Sequence, residues 1–265
     1  MRHKLLFVLL IAIVSVFLFF KPINLPFNQG NTSLVTPNST AVINKALTKD
    51  KVIALTFDAD MTPKMLAELQ QGKIKSWYNS NLINILNNNK IPATLFLTGL
   101  WIQTYPEITK ELAGNPLFEL ANHSYSHAGF ASPCYNLGTI PDSKDSSEIL
   151  KTDVLLNKYS PNHKKYFRFP GLCYSDSDVK IIRKLGYTII GGTGSTDAFR
   201  KEPALIIKTV TSNITPGEII IFHMHIDSNT SVSDDSLPEI LTYLKNRGYK
   251  FVKVSDLLQL GRPSI

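Results

Sequence analysis

Two histidines four residues apart, in Asn122-His123-Ser124-Tyr125-Ser126-His127, are the side chains of this sequence best suited to chemistry. About 65 residues upstream stands Thr56-Phe57-Asp58-Ala59-Asp60. Imidazole nitrogens and carboxylate oxygens together are the usual ligands of a borderline-soft divalent ion. The acidic segment closes an apolar run, Val52-Ile53-Ala54-Leu55, that reads as a buried strand. Carboxylates at the end of such a strand stand where α/β proteins place their chemistry. The pattern therefore points to metal-assisted hydrolysis. A surface i,i+4 histidine pair can arise by chance, but the short strand expected at Phe118–Ala121 leads directly into this one.

These residues need a scaffold, and the periodicity supplies one. Strands are expected at Val52–Phe57, Ile91–Gly99, Phe118–Ala121, Tyr166–Phe169, Tyr187–Gly191, Glu218–His223 and Lys250–Val254. Helical stretches alternate with them at Pro63–Gln71, Trp77–Asn87, Pro106–Leu112, Ser146–Tyr159, Asp176–Leu185, Glu202–Thr211 and Leu237–Lys245, with a last short one at Ser255–Leu260. Alternation of this kind implies a mainly parallel sheet with outer helices. Seven or eight such units favour a barrel, complete or incomplete, over a doubly wound sheet. The polar candidates all fall just after strands, on the functional face of such a barrel.

The chain has 265 residues and a formal net charge of +7. Arg2 and Lys4 precede an apolar run, Leu5–Phe20, that only Ser15 interrupts, and Lys21 ends it. Residues 1–21 thus read as a signal-anchor or a cleaved signal peptide, with the remainder extracytoplasmic, membrane-anchored or secreted. Residues 22–49, rich in Asn, Ser, Thr and Pro, read as a linker or flexible arm. Residues 50–265 form one catalytic domain, long enough for a substantial core. The basic charge is spread without aromatic interleaving, so no nucleic acid is expected as a partner. No obligate protein partner is implied either. Cys134 and Cys173 would lie outside the reducing cytoplasm, each a few residues beyond a candidate site segment. A disulfide between them and a pair of unlinked thiols both fit.

At this point the residues resemble a known family. The stretch from Lys51 to Leu260 is similar to the polysaccharide deacetylases, the NodB-homology or family-four carbohydrate esterases. The family's first motif, Thr-Phe-Asp-Asp-Gly, is met by Thr56-Phe57-Asp58-Ala59-Asp60 with a departure. Asp58 matches the general base, but Ala59 stands where a metal-binding Asp is usual. Either Asp60 supplies that carboxylate or the ion has two protein ligands. The second motif, His-(Ser/Thr)-x-x-His, is complete in His123 and His127. The third, Arg-x-Pro-x-Gly, is met by Arg168 and Pro170, with Gly171 at the aromatic position. The resemblance implies that Arg168 braces the base and that the N–H of Gly171 meets the oxyanion. Asp197 is the counterpart of the Asp that orients a catalytic histidine, without the tryptophan that usually accompanies it. That histidine corresponds to His223, counting from Gly217, while His225 reads as a neighbouring or rim residue. Residues 61–77, with Lys64, Lys73, Lys75 and Trp77, are an addition to the family pattern. They either cover the groove or decorate the surface.

The resemblance implies an α/β fold, a distorted (β/α) barrel of seven parallel strands, and an enzyme that uses a divalent metal ion, by preference Zn2+, held by His123 and His127 with Asp60 as the candidate third ligand. It would remove N-acetyl groups from an N-acetylglucosamine-containing polysaccharide such as peptidoglycan or chitooligosaccharide, and its partner would be an acetylated cell-wall glycan. Two alternatives remain: an O-acetyl esterase or non-sugar amidase on the same fold, and a catalytically impaired glycan-binding protein at the cell surface.

Overall fold

The computed structural model describes residues 42–195, 197–198, 202–225 and 233–264. The apolar run at 5–20 and most of the expected arm lie outside these residues. No helix among the described residues is long and apolar enough to cross a membrane. The strands are β1 (Lys45–Leu47), β2 (Val52–Ala59), β3 (Ala93–Leu97), β4 (Phe118–Asn122), β5 (Tyr166–Phe167), β6 (Thr188–Ile189), β7 (Thr193–Gly194), β8 (Ile219–His223), β9 (Lys250–Phe251) and β10 (Arg262–Ser264). The helices are α1 (Pro63–Gln70), α2 (Ser80–Asn88), α3 (Gly99–Thr104), α4 (Pro106–Gly114), α5 (Asp145–Tyr159), α6 (Asp176–Lys184), α7 (Pro203–Thr211), α8 (Ser233–Asn246) and α9 (Val254–Leu260).

Seven strands pair in parallel in the order β6-β5-β4-β3-β2-β8-β7, and β9 lies against the start of β2. The curled, half-barrel sheet agrees with the expected parallel barrel. Every residue of the central strand β2 is buried, as befits a parallel strand covered on both faces. Its alternation sorts two layers. Ile53, Leu55, Phe57 and Ala59 face an apolar layer that includes Trp101, Leu237 and Leu244 from the helices. Val52 and Ala54 face a second cluster with Phe96, Ala121, Ile219, Val254 and Leu257. Thr56 and Asp58 continue this inner row toward the carboxyl end of the sheet. The same alternation along β8 sends Ile220 and Phe222 outward and Ile219 inward.

Two details depart from the sequence pattern. The closing strand stops at Phe251, because the chain turns into α9 at Val254, whose amide donates to Thr94 Oγ1 at 2.9 Å. The short strand β7, in a glycine-rich stretch with no apolar period, forms by pairing with β8 at Thr193↔Ile220.

The expected flexible arm also overlaps the packed domain. Ile43, only 2% exposed, takes its place in the inner cluster together with Ala46. The Ile43 amide donates to Ile189 O, and the Gly191 amide donates back to Ile43 O, at 2.9 and 2.8 Å. Three residues on, the Ala46 amide donates to Gly217 O at 2.9 Å. Residues 43–46 thus bond to both the β6 end and the β8 end of the curled sheet. The approach is so close that a Cβ at Gly217 would lie 1.8 Å from Ala46 O, and Gly217 has φ +85°. Replacing Gly217 by alanine should therefore cost at least about 1–3 kcal/mol from the backbone conformation alone. Urea unfolding of Gly217→Ala should show a lowered midpoint; an unchanged midpoint would mean that the strap yields without loss.

Candidate active site

The inner rows of β2, β4, β5 and β8 deliver Asp58, His123, Arg168 and His223 to one end of the sheet. Continuing the alternation past β2 puts Asp60 on the same side as Asp58, with Ala59 turned into the apolar layer between them. Asp60 Oδ1 lies 3.4 Å from His123 Nε2 and 3.2 Å from His127 Nε2. The shifted aspartate therefore meets both histidines, and one ligand atom from each of the three lies within 4.8 Å of the others.

This donor set fits a divalent ion. Asp60 Oδ1 is buried and makes no hydrogen bond. The His123 Nδ1–H donates to Arg168 O at 2.9 Å, which leaves the lone pair on Nε2, facing Asp60. Burial by itself would raise the Asp60 carboxyl, but His127 and His123 outweigh it and hold the group well below the usual carboxylate range. A ligating carboxylate and two neutral imidazoles are the set a hydrolytic zinc site uses, with positions left open.

Asp58 stands beside this triad, with Oδ2 at 3.7 Å from His123 Nε2. Its other oxygen accepts from Arg168 Nη1 at 2.5 Å. Arg168 is fully buried, and each of its nitrogens is occupied. Nη1 also donates to Thr56 Oγ1, Nε donates to Ile190 O, and Nη2 donates to Gly191 O. The guanidinium carbon sits 4.0 Å above the Phe96 ring, which fills the inner face beneath it. An edge-strand surface position for Arg168 is therefore excluded.

Of the two histidines at the end of β8, His223 carries the aspartate. Its Nδ1 donates to Asp197 Oδ1 at 2.8 Å, and its backbone N–H donates to Asp197 Oδ2 at 2.7 Å. Ser233 Oγ donates to the same Oδ2. Burial alone would lower the His223 imidazolium, but Asp197, aided by Asp60 and Asp58, reverses this and pushes it up to about 10. His225 lies further along the same row, edge-on to Trp77, and its burial pulls the imidazole below its ordinary value.

A cavity of about 450 Å³ opens over these groups. Gly171 lines it, with φ +59°, in a single helical turn at Pro170–Leu172. A side chain there would strike the Cys134 sulfur at 3.0 Å and the rings and methyls of Tyr135 and Leu137 at 3.2 Å. Cys134 and Cys173 are joined as a disulfide, with Cα atoms 5.7 Å apart. The bond clamps the loop that carries Tyr135 and Leu137 onto the Gly171 turn, and together they form an apolar wall of the cavity. The added segment contributes to the lining as well, through Thr62, Lys64, Met65, Glu68 and Trp77, whereas Lys73 and Lys75 stay exposed away from it. Trp77 is held by its indole N–H on Met65 O and its amide on Tyr105 Oη.

Ser233 and Glu148 also serve this site, and motif spacing does not single them out. Glu148 Oε2 accepts from the amides of Tyr125 and Ser126 and from Ser126 Oγ, at 3.0, 2.8 and 3.0 Å. A signal existed in the sequence. The buried stripe of α5 contains Asp145, Glu148, Thr152 and Asp153 among its apolar residues, at helical spacing.

A family model described as polysaccharide deacetylase matches residues 45–190. A peptidoglycan-N-acetylglucosamine deacetylase of Bacillus cereus is 27% identical over 215 residues, covering 79% of this chain and 69% of that protein. A peptidoglycan-N-acetylmuramic acid deacetylase of Bacillus subtilis is 24% identical over 80% of this chain and 73% of its own length. The crystal structure of a CE4 family pseudoenzyme from Bacillus anthracis superimposes with a TM-score of 0.68 at 24% identity, over 84% of this chain and 70% of that one. With the family model matching more than half of its length, the chain belongs to the polysaccharide deacetylase family.

Proposed function

We propose that this protein is a metal-dependent hydrolase that removes N-acetyl groups from an N-acetylglucosamine-containing cell-wall polysaccharide such as peptidoglycan. The observation that carries the proposal is the convergence of Asp60, His123 and His127 beside Asp58, which is ion-paired with buried Arg168, and His223, which Asp197 holds as the imidazolium. The relatives named for peptidoglycan deacetylation support the substrate class and an extracytoplasmic location. We assign residues 1–21 as the signal or anchor segment consistent with that location.

A divalent ion, Zn2+ by preference, held by Asp60, His123 and His127 would supply Lewis acidity at the acetyl carbonyl. The chain's own residues carry the remaining steps. Asp58, oriented by its contact with Arg168, takes a proton from the attacking water. The backbone N–H of Gly171, in the cavity wall, is assigned to the oxyanion, a role that needs no side chain. His223, held as the imidazolium by Asp197, gives its Nε2 proton to the departing amine nitrogen. Acetate and a free amino sugar are the products. A carboxylate base and an imidazolium acid both present argue for turnover over glycan binding alone.

The first test is acetate release from peptidoglycan and acetylated chitooligosaccharides, with and without chelator. Chelation should abolish release and added zinc should restore it; full turnover in verified metal-free protein would reject the mechanism, and no release from either glycan would reject the function.

Asp58 and Asp60 should separate cleanly. Asp58→Asn should lower kcat on the order of 10²–10⁴ fold and leave the ion bound. Asp60→Ala should instead lower metal occupancy, because it removes a ligand. Metal analysis beside kinetics on both variants decides the matter, and normal metal affinity in Asp60→Ala would show that the shifted carboxylate is not a ligand.

The pH profile carries the third test. Activity requires protonated His223, so it should persist on the acid side of that pKa and fall as pH rises through it. Asp197 holds the pKa up. Asp197→Asn should therefore move the alkaline limb of kcat/KM to lower pH, and a limb that stays in place would assign it to another group.

A further inference from the structure

The loop between His123 and His127 has an unusual backbone. Ser124 and His127 adopt φ of +66° and +57°, in the left-handed region that residues with a Cβ rarely enter. Such a conformation persists only where its surroundings over-determine it. Its carbonyls are partly accounted for by the start of α3, where the amides of Gly99 and Leu100 donate to Ser124 O and Tyr125 O. Its amides are accounted for by side chains. Asn122 Oδ1 accepts from Ser124 N at 2.9 Å. The next two amides and the Ser126 hydroxyl all converge on Glu148 Oε2. Glu148 is only 8% exposed and comes from the first turn of α5, on an element separate from every proposed metal ligand. A single carboxylate oxygen collecting three donors is an arrangement made for holding a backbone.

We propose that Glu148 is a positioning residue for the histidine pair. By gathering the donors of Tyr125 and Ser126 it fixes the turn that presents His123 and His127 to Asp60, and so it sets the affinity of the site for a divalent ion. It touches neither substrate nor ion. The inference rests on the metal reading of Asp60, His123 and His127 and adds to it the group that shapes the site. The outer partners of metal ligands commonly change affinity 10- to 100-fold when removed.

The test is zinc affinity, measured by competition with a chelator, on wild type, Glu148→Ala, Glu148→Gln and Ser126→Ala. Amide hydrogen exchange at Tyr125 and Ser126 is followed in parallel on the metal-free proteins. Glu148→Ala should weaken zinc binding on the order of 10- to 100-fold and expose both amides to exchange. Glu148→Gln retains an acceptor oxygen and should recover part of both losses. Ser126→Ala removes one of the three bonds, leaves α5 untouched and should give a smaller loss; it carries the test if Glu148→Ala does not fold. Unchanged zinc affinity in the variants, with both amides still protected, would overturn the role of Glu148 alone. A wild-type protein that binds no zinc would overturn the metal reading instead, and the two failures are therefore distinct.

Discussion

The buried contact between Arg168 and Asp58 is the constraint on which the site depends. A guanidinium taken wholly out of water is costly unless every donor is used and a carboxylate faces it. Here Nη1 meets Asp58 and Thr56 on β2, while Nε and Nη2 meet the carbonyls of Ile190 and Gly191 just past β6. The same residue's backbone carbonyl accepts from His123, at the end of β4. One arginine therefore registers three strands and, through its two ends, both the proposed base and a proposed metal ligand. Removing either member of such a buried pair typically costs about 3–5 kcal/mol, because a charge is left without compensation. The ring of Phe96 beneath the guanidinium shows that the inner apolar cluster and the catalytic layer are stacked on one another.

Around that rigid floor the walls are built by different means. One is covalent: the Cys134–Cys173 bond presses Tyr135 and Leu137 against the Gly171 turn, and the absence of a side chain at 171 is what lets them approach. The other is packing: α1 and Trp77 belong to an added segment held by two hydrogen bonds and by the burial of Trp77 at 4% exposure. Lys64, Met65 and Glu68 of that segment line the opening above the proposed catalytic groups.

Much of this was written in the sequence as period and spacing. The apolar runs at 52–57 and 218–223 and the alternation of strand with helix are local signals that map onto elements of the structure, and the His-x-x-x-His pair falls on the loop after β4. Strand period also places His223 with His225 on one face, because successive residues of a strand point to opposite sides; the same rule holds for Asp58 and Asp60 in the structure. What period could not decide was which member of each pair does what. Asp60 joins the triad because His123 and His127 converge on its Oδ1 from β4 and the loop beyond it. His223 is distinguished from His225 because Asp197 lies at its Nδ1. The same holds for the strap at 43–46, whose polar neighbourhood reads as a linker but whose Ile43 and Ala46 find an apolar slot only once the sheet has curled. What Glu148 holds, which of residues 61–77 line the groove and whether the two cysteines pair are likewise decided only in three dimensions. Local sequence determines which face a side chain takes; the partner waiting at that face is brought from far along the chain, and only tertiary packing decides it.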